Sequence, residues 1–240
     1  SLVLRAAKYY DLELTATSGE EKSKYNTLLE MIIPVVKTYP SEAGSYAVNN
    51  GLQVLGGYGF CSDFILQQYY RDIRICAIYE GTTGIQSQDL LGRKITMGNG
   101  SGLALLSAEI LKTIEESKSH KSLQPYAAEL SNKLGLTQKI LESLMPHALK
   151  GDFERYLADA SIFMEFFSLI IISWSWLEIA TKAQENLNTS EASLSDDFYL
   201  SKIETMKYFY DYELPKTLGH AAILMNPSTV TIKKEKEYIN

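Results

Sequence analysis

Apolar residues recur at helical spacing along nearly the whole chain, and no strand-like alternation persists. Only six prolines occur in 240 residues, so long helices meet few interruptions. An amphipathic helix must bury its apolar stripe against another element. The pattern therefore predicts an all-α protein built of helices packed on helices. A content of 45% apolar and 22% charged residues predicts a sizeable core and argues against disorder.

The spacing predicts helices over 1–17, 20–38, 41–54, about 63–75 and about 82–93, and then over 102–118, 122–150, 152–187 and 193–225. Ser18 suits a cap for the second helix, and Asp63 for the one after the glycine turn. Pro40-Ser41-Glu42 reads as a restart, and Pro34, Pro146 and Pro215 as kinks or breaks. Pro125 sits near a helix start. Residues 96–102, Thr-Met-Gly-Asn-Gly-Ser-Gly, read as a flexible linker. It divides the chain into helical bundles at 1–95 and 103–225, followed by a Lys- and Glu-rich tail at 226–240. The chain opens on Ser1 and runs at once into Leu2 to Ala7 with no cap before them. That reads as the interior of a helix, and the expectation is a piece of a longer polypeptide.

Several function classes are disfavoured. A net charge of −6 without a basic cluster suits no nucleic-acid partner. Cys61 and Cys76 fit neither a disulfide framework nor a zinc site, which suggests reduced thiols and a cytoplasmic protein. The apolar run Ile162 to Ile179 is interrupted by Glu165, Ser168, Ser173, Ser175 and Glu178, so it reads as a buried helix and no membrane association is expected. None of His120, His147 and His220 follows a Glu by three residues, which removes a di-iron bundle, and no metal is expected. Phe163, Phe166, Phe167, Trp174 and Trp176 fall at the spacing of core packing. Tyr208, Phe209, Tyr210 and Tyr212 suit either core or an oligomer contact.

The chemistry concentrates between Gln53 and Arg93. Gly56-Gly57-Tyr58-Gly59 makes a turn that backbone amides can offer to an anion or a flat ring, since no Cβ stands in the way. Most glycine turns are only turns. Glu80 lies in a loop beside Ile78 and Tyr79, and a carboxylate in an apolar setting can act as a base near neutral pH. The competing reading is that Glu80 caps the next helix or pairs with Arg71 or Arg74. Arg71-Asp72 suits a loop-ordering charge pair.

In order, the stretch carries Gln53, Gly56-Gly57-x-Gly59, Arg71-Asp72, Tyr79-Glu80-Gly81-Thr82 and Ile85-Gln86. This joint pattern resembles the C-terminal helical domain of the acyl-CoA dehydrogenases, and the resemblance covers residues 1–95. It implies FAD as cofactor, acyl-CoA as substrate, and Glu80 as the base that takes the α proton while the flavin accepts the β hydride. Tyr79, Glu80 and Gly81 would meet the substrate, with the Glu80 amide donating to the thioester carbonyl. Thr82 and Gln86 would contact FAD in the same subunit. Gln53, Gly56 and Gly57 would contact FAD held by a neighbouring subunit, which implies a homodimer or homotetramer. An electron-transfer flavoprotein or a similar acceptor would reoxidise the flavin.

Gly84 stands where many members carry Gln, Glu or Asn, and Gln67 and Gln68 where an acidic residue is common. Thr82-Thr83-Gly84-Ile85-Gln86, with the long extension after Lys94, is similar to the branch that includes methylmercaptopropionyl-CoA dehydrogenases. The family's N-terminal helical and middle β domains have no counterpart in these residues, and neither has an Arg used on the FAD phosphates. The chain alone is therefore expected to be inactive and to hold FAD weakly. Two other readings remain: a stress- or DNA-associated flavoprotein of the same family that is not a dehydrogenase, or an assembly module.

Overall fold

The structure is a computed structural model that describes residues 1–232 apart from 188, 190–192 and 229. Residues 233–240 of the expected tail lie outside the described residues. Every regular element among the described residues is helical, so the fold is all-α. Helix α1 spans Leu2–Thr15 and α2 spans Gly19–Val54. The Ser18 side chain accepts from Glu21 N at the start of α2, as its position predicts. Helix α3 spans Leu66–Ile73 and α4 Thr83–Gln88. The remaining helices are α5 (Ser101–Ser117), α6 (Gln124–Leu149), α7 (Phe153–Leu157), α8 (Ala160–Asn186), α9 (Asp196–Tyr208) and α10 (Lys216–Leu224).

Four local expectations are corrected. The 20–38 and 41–54 helices are one, because α2 runs without a break through Pro34 and Pro40. Proline removes one backbone donor. Here the buried Leu28, Met31, Ile32 and Val35 hold the helix in the core on the N-terminal side, and the Ser41 hydroxyl bonds the Lys37 carbonyl across the second proline. Asp63 caps nothing, since α3 starts at Leu66 with Ile65 at its N-cap and no side-chain cap bond. Helix α6 likewise continues past Pro146 to Leu149, whereas Pro215 does separate α9 from α10, with Phe209–Glu213 wound as a wider π turn between them. The predicted 152–187 helix is two, α7 and α8.

Helix α8 is the axis of the molecule. It packs against α2, α4, α5, α6, α9 and α10. By length and composition it could cross a bilayer, but 72% of its apolar window is buried inside the protein. Phe163, Phe166, Phe167 and Trp174 lie in this core, and Trp176 is half-buried at its edge. Phe209 and Tyr210 are also core, whereas Tyr208 and Tyr212 stay exposed and stack on each other at 5.0 Å. A single apolar cluster runs from Leu2 on α1 to Leu224 on α10. The glycine-rich stretch between α4 and α5 is a tight turn, with Gly98, Asn99 and Gly100 all at positive φ.

Buried phenols make this core sensitive to alkali. Burial pushes Tyr156 up to about 12 and Tyr210 well above the ordinary tyrosine range. A raised folded-state value means the neutral phenol is favoured by folding. That stability is present below pH 10 and is lost as pH rises through 12, by roughly 2–3 kcal/mol for Tyr156. Tyr156→Phe is expected to cost about 1 kcal/mol at pH 8, where a buried hydrogen bond is lost. Urea melts at pH 8 and pH 11.5 are expected to show that gap closing and then reversing at the higher pH, since the phenylalanine variant has no proton to lose there.

Candidate functional site

Helix α2 presents the loop that holds Glu80. Lys37, Ser41 and Glu42 lie within little more than one turn of this helix, and each of them bonds the segment around Glu80. Lys37 Nζ donates to the Gly81 carbonyl at 2.5 Å. The Ser41 hydroxyl lies 3.2 Å from the Cys76 carbonyl, and the Thr83 hydroxyl donates to the Glu42 carboxylate. The loop is thus tied to α2 at its start, its middle and its end.

Within that frame the backbone is forced into unusual shape. Glu80 has φ +53° and Gly81 φ +93°. Glycine adopts such angles readily, but for glutamate they cost of order 1–3 kcal/mol and persist only where the surroundings impose them. Gln86 Nε2 donates to the Glu80 carbonyl at 3.1 Å. A Cβ on Gly81 would come within 2.8 Å of that same Gln86 nitrogen and push it off its bond, and the positive φ is strained for any other residue. Thr82 caps α4 by accepting from Ile85 N. The cap is therefore Thr82, and Glu80 is released from that role. No ion pair joins Glu80 to Arg71 or Arg74 among the described residues. Arg71 and Asp72 are both exposed on α3.

The apolar setting expected around Glu80 is not built by this chain. Tyr79, Glu80 and Ile78 are exposed, and Gly81 is half-buried. The Glu80 N–H has no hydrogen-bond partner among the described residues. The loop thus offers a solvent-facing carboxylate and a free amide on a backbone fixed from below.

The glycine turn lies at the far end of α2, with Gln53 exposed on its last turn. Its glycines are required for different reasons. Gly59 cannot carry a Cβ, which would sit 2.3 Å from the Leu52 carbonyl oxygen. Gly56 is held at φ +57°. Gly57 has open space around it and no positive φ, so nothing in this chain requires it to be glycine. Gly59→Ala is expected to destabilise the fold by about 3 kcal/mol in a urea melt, as a backbone clash does. Gly57→Ala should leave that melt within about 0.5 kcal/mol.

A second support lies beneath α4. Asp89–Lys94 is wound as a π turn, in which Ile95 N bonds the Leu90 carbonyl and not that of Leu91. The Tyr156 hydroxyl on α7 donates to the released Leu91 carbonyl at 2.7 Å. Lys94, only 2% exposed, pairs with Glu30 of α2 and lies near Asp89. Lys37, Lys94 and Tyr156 carry no local motif that assigns them a role, and Glu42 reads from sequence only as part of a helix restart. The structure places Tyr79, Glu80, Gly81, Thr82 and Gln86 together, and sets Gln53, Gly56 and Gly57 apart from them.

Two family descriptions match the chain: the acyl-CoA dehydrogenase C-terminal domain over residues 1–95, and the acetyl-CoA dehydrogenase C-terminal-like domain over residues 106–233. The chain belongs to the acyl-CoA dehydrogenase family. Among its relatives in this family is the broad-specificity linear acyl-CoA dehydrogenase FadE5 of Mycobacterium tuberculosis, 30% identical over 192 residues, which cover 78% of this chain and 31% of that protein. Another is the 3-methylmercaptopropionyl-CoA dehydrogenase of Ruegeria pomeroyi, 38% identical over 105 residues, or 43% of this chain and 18% of that protein. The branch read from Thr82 to Gln86 is therefore represented among the relatives. The fold is similar to that of ACDH-11 of Caenorhabditis elegans in complex with C11-CoA. The TM-score is 0.71 at 19% identity, covering 95% of this chain and 38% of that one. The chain spans about a third or less of the length of these acyl-CoA dehydrogenase relatives.

Proposed function

We propose that this chain is the C-terminal helical part of an FAD-dependent acyl-CoA dehydrogenase, with Glu80 as the base that removes the substrate α proton. The observation that carries the reading is the loop itself. A glutamate is held at positive φ by contacts from α2 and Gln86, with its carboxylate exposed and its own amide unpaired.

The chemistry of each part follows from that geometry. The Glu80 carboxylate takes the α proton of the thioester. As the proton leaves, negative charge develops on the thioester carbonyl oxygen, and the Glu80 N–H is free to donate to it. Fixing the loop in advance avoids reorganisation during the step. Thr82 keeps a hydroxyl proton to donate while its oxygen caps α4, and Gln86 keeps its amide oxygen. Both suit the polar edge of a bound flavin. The open space at Gly56 and Gly57 suits close approach of the adenosine or pyrophosphate half of a dinucleotide held by a second subunit. FAD, when bound, supplies the acceptor for the β hydride. An electron-transfer flavoprotein or similar acceptor would complete the cycle, in a homodimer or homotetramer. The exposed Val54 (87%) and Phe60 (96%) beside the glycine turn suit burial in such an assembly.

The test uses the complete flavoprotein. Its visible flavin absorbance is followed anaerobically as a panel of acyl-CoA thioesters is added. Bleaching by some thioester supports the reading and ranks the chain lengths. Bound flavin that no thioester bleaches would contradict it. Gly57→Ala is expected to lower FAD content several-fold in that protein.

A further inference from the structure

We propose that Lys37 is a positioning residue for the proton-abstraction step, acting through the loop that carries Glu80. The inference rests on Glu80 being the base.

Lys37 lies 43 residues before Glu80, in the middle of α2, and is half-buried. Its side chain reaches the Gly81 carbonyl at 2.5 Å. A partly buried ammonium ordinarily pairs with a carboxylate. Among the described residues this one pairs with none: Glu30, two turns earlier on α2, is taken by Lys94, and Glu42 is engaged by Thr83. The ammonium is used on a backbone carbonyl in the loop.

That bond has a geometric consequence. Gln86 fixes the carbonyl of Glu80 and Lys37 fixes the carbonyl of Gly81, so two successive peptide planes are held. These are the planes on either side of Gly81, whose φ of +93° leaves it free to swing if released. With either bond lost, the strained angle at Glu80 can relax, and the carboxylate and amide lose their common orientation. A charge-assisted bond is about twice as strong as a neutral one, which suits it to hold strain. Its positive charge is held two peptide units along the chain from the Glu80 N–H, the group proposed to donate to the charged thioester oxygen.

The experiment uses the complete flavoprotein carrying Lys37→Gln, Lys37→Arg or Glu80→Gln. Three quantities are measured: FAD content with melting temperature, anaerobic flavin bleaching per bound flavin at saturating thioester, and hydrogen exchange of peptides covering residues 76–86 without substrate. Lys37→Gln is expected to slow bleaching per flavin by about 10²-fold, as small misplacements do. Its loop amides should exchange at least about tenfold faster, with FAD content unchanged. Lys37→Arg, which keeps charge and donor, should recover part of both losses. The proposal is overturned if Lys37→Gln bleaches at the unsubstituted rate per flavin, whether its FAD content is normal or reduced, since the lysine would then serve only stability. It is overturned equally if loop exchange is unchanged. If Glu80→Gln bleaches normally, the base assignment fails and this inference falls with it, while the exchange data still show whether Lys37 holds the loop.

Discussion

In the complete flavoprotein, Glu80→Gln is expected to slow flavin bleaching by acyl-CoA by about 10²- to 10⁴-fold, the usual contribution of a positioned base. FAD content and melting temperature should stay unchanged. The substitution keeps side-chain length and shape and removes only the ability to take a proton. The side chain is exposed and has no ion pair among the described residues, so no structural contact is lost with the charge. The strained backbone tolerates Gln as it does Glu, because the strain lies at the Cβ and both have one. A parallel loss of stability would show that the carboxylate serves the fold. A stopped-flow trace at 450 nm beside a thermal melt separates the two.

The largest expected effect on stability is at Trp174. This side chain is 1% exposed on α8. Its indole N–H donates to the Thr113 hydroxyl on α5 at 2.8 Å, and the Arg5 guanidinium of α1 lies 3.6 Å from its ring centroid. Arg5 also pairs with Glu178, one turn further along α8. Trp174→Ala therefore leaves a cavity, an unpaired buried hydroxyl and a guanidinium without its aromatic platform. The expected loss is about 3–5 kcal/mol in urea unfolding. Trp176, two residues away and half-buried, provides the contrast: its alanine variant should cost clearly less. Because Arg5 and Thr113 belong to opposite sides of the Gly98–Gly100 turn, Trp174→Ala should weaken the joint between those sides.

How much of this was legible depended on how local the cause was. Helix periodicity is a property of neighbouring residues, and it revealed the all-α fold and the core aromatics of α8. The continuity of α2 through two prolines was not legible, because burial of Leu28 to Val35 outweighs a missing donor and burial is a tertiary fact. The π turns at 89–94 and 209–213 leave no sequence signal that separates them from α-helix. At the site, Tyr79 to Thr82 and Gln86 fall within one short motif and were found together. The capping role placed on Glu80 belongs to Thr82, a swap of two residues that propensity alone does not resolve. Lys37 and Tyr156 reach the site from 44 and 65 residues away in sequence, across helix packing that one sequence does not display.

The reading of Glu80 as a base is tested most directly by watching the proton alone. A thioester of CoA that has α hydrogens but no β hydrogens can lose its α proton yet has no hydride to transfer. Incubated in D₂O with the complete flavoprotein, it should exchange its α hydrogens at a rate that Glu80→Gln lowers by about 10²-fold or more. The account predicts that loss with flavin still bound. Equal exchange by the unsubstituted protein and Glu80→Gln would contradict it, and would place the base elsewhere in the complete protein.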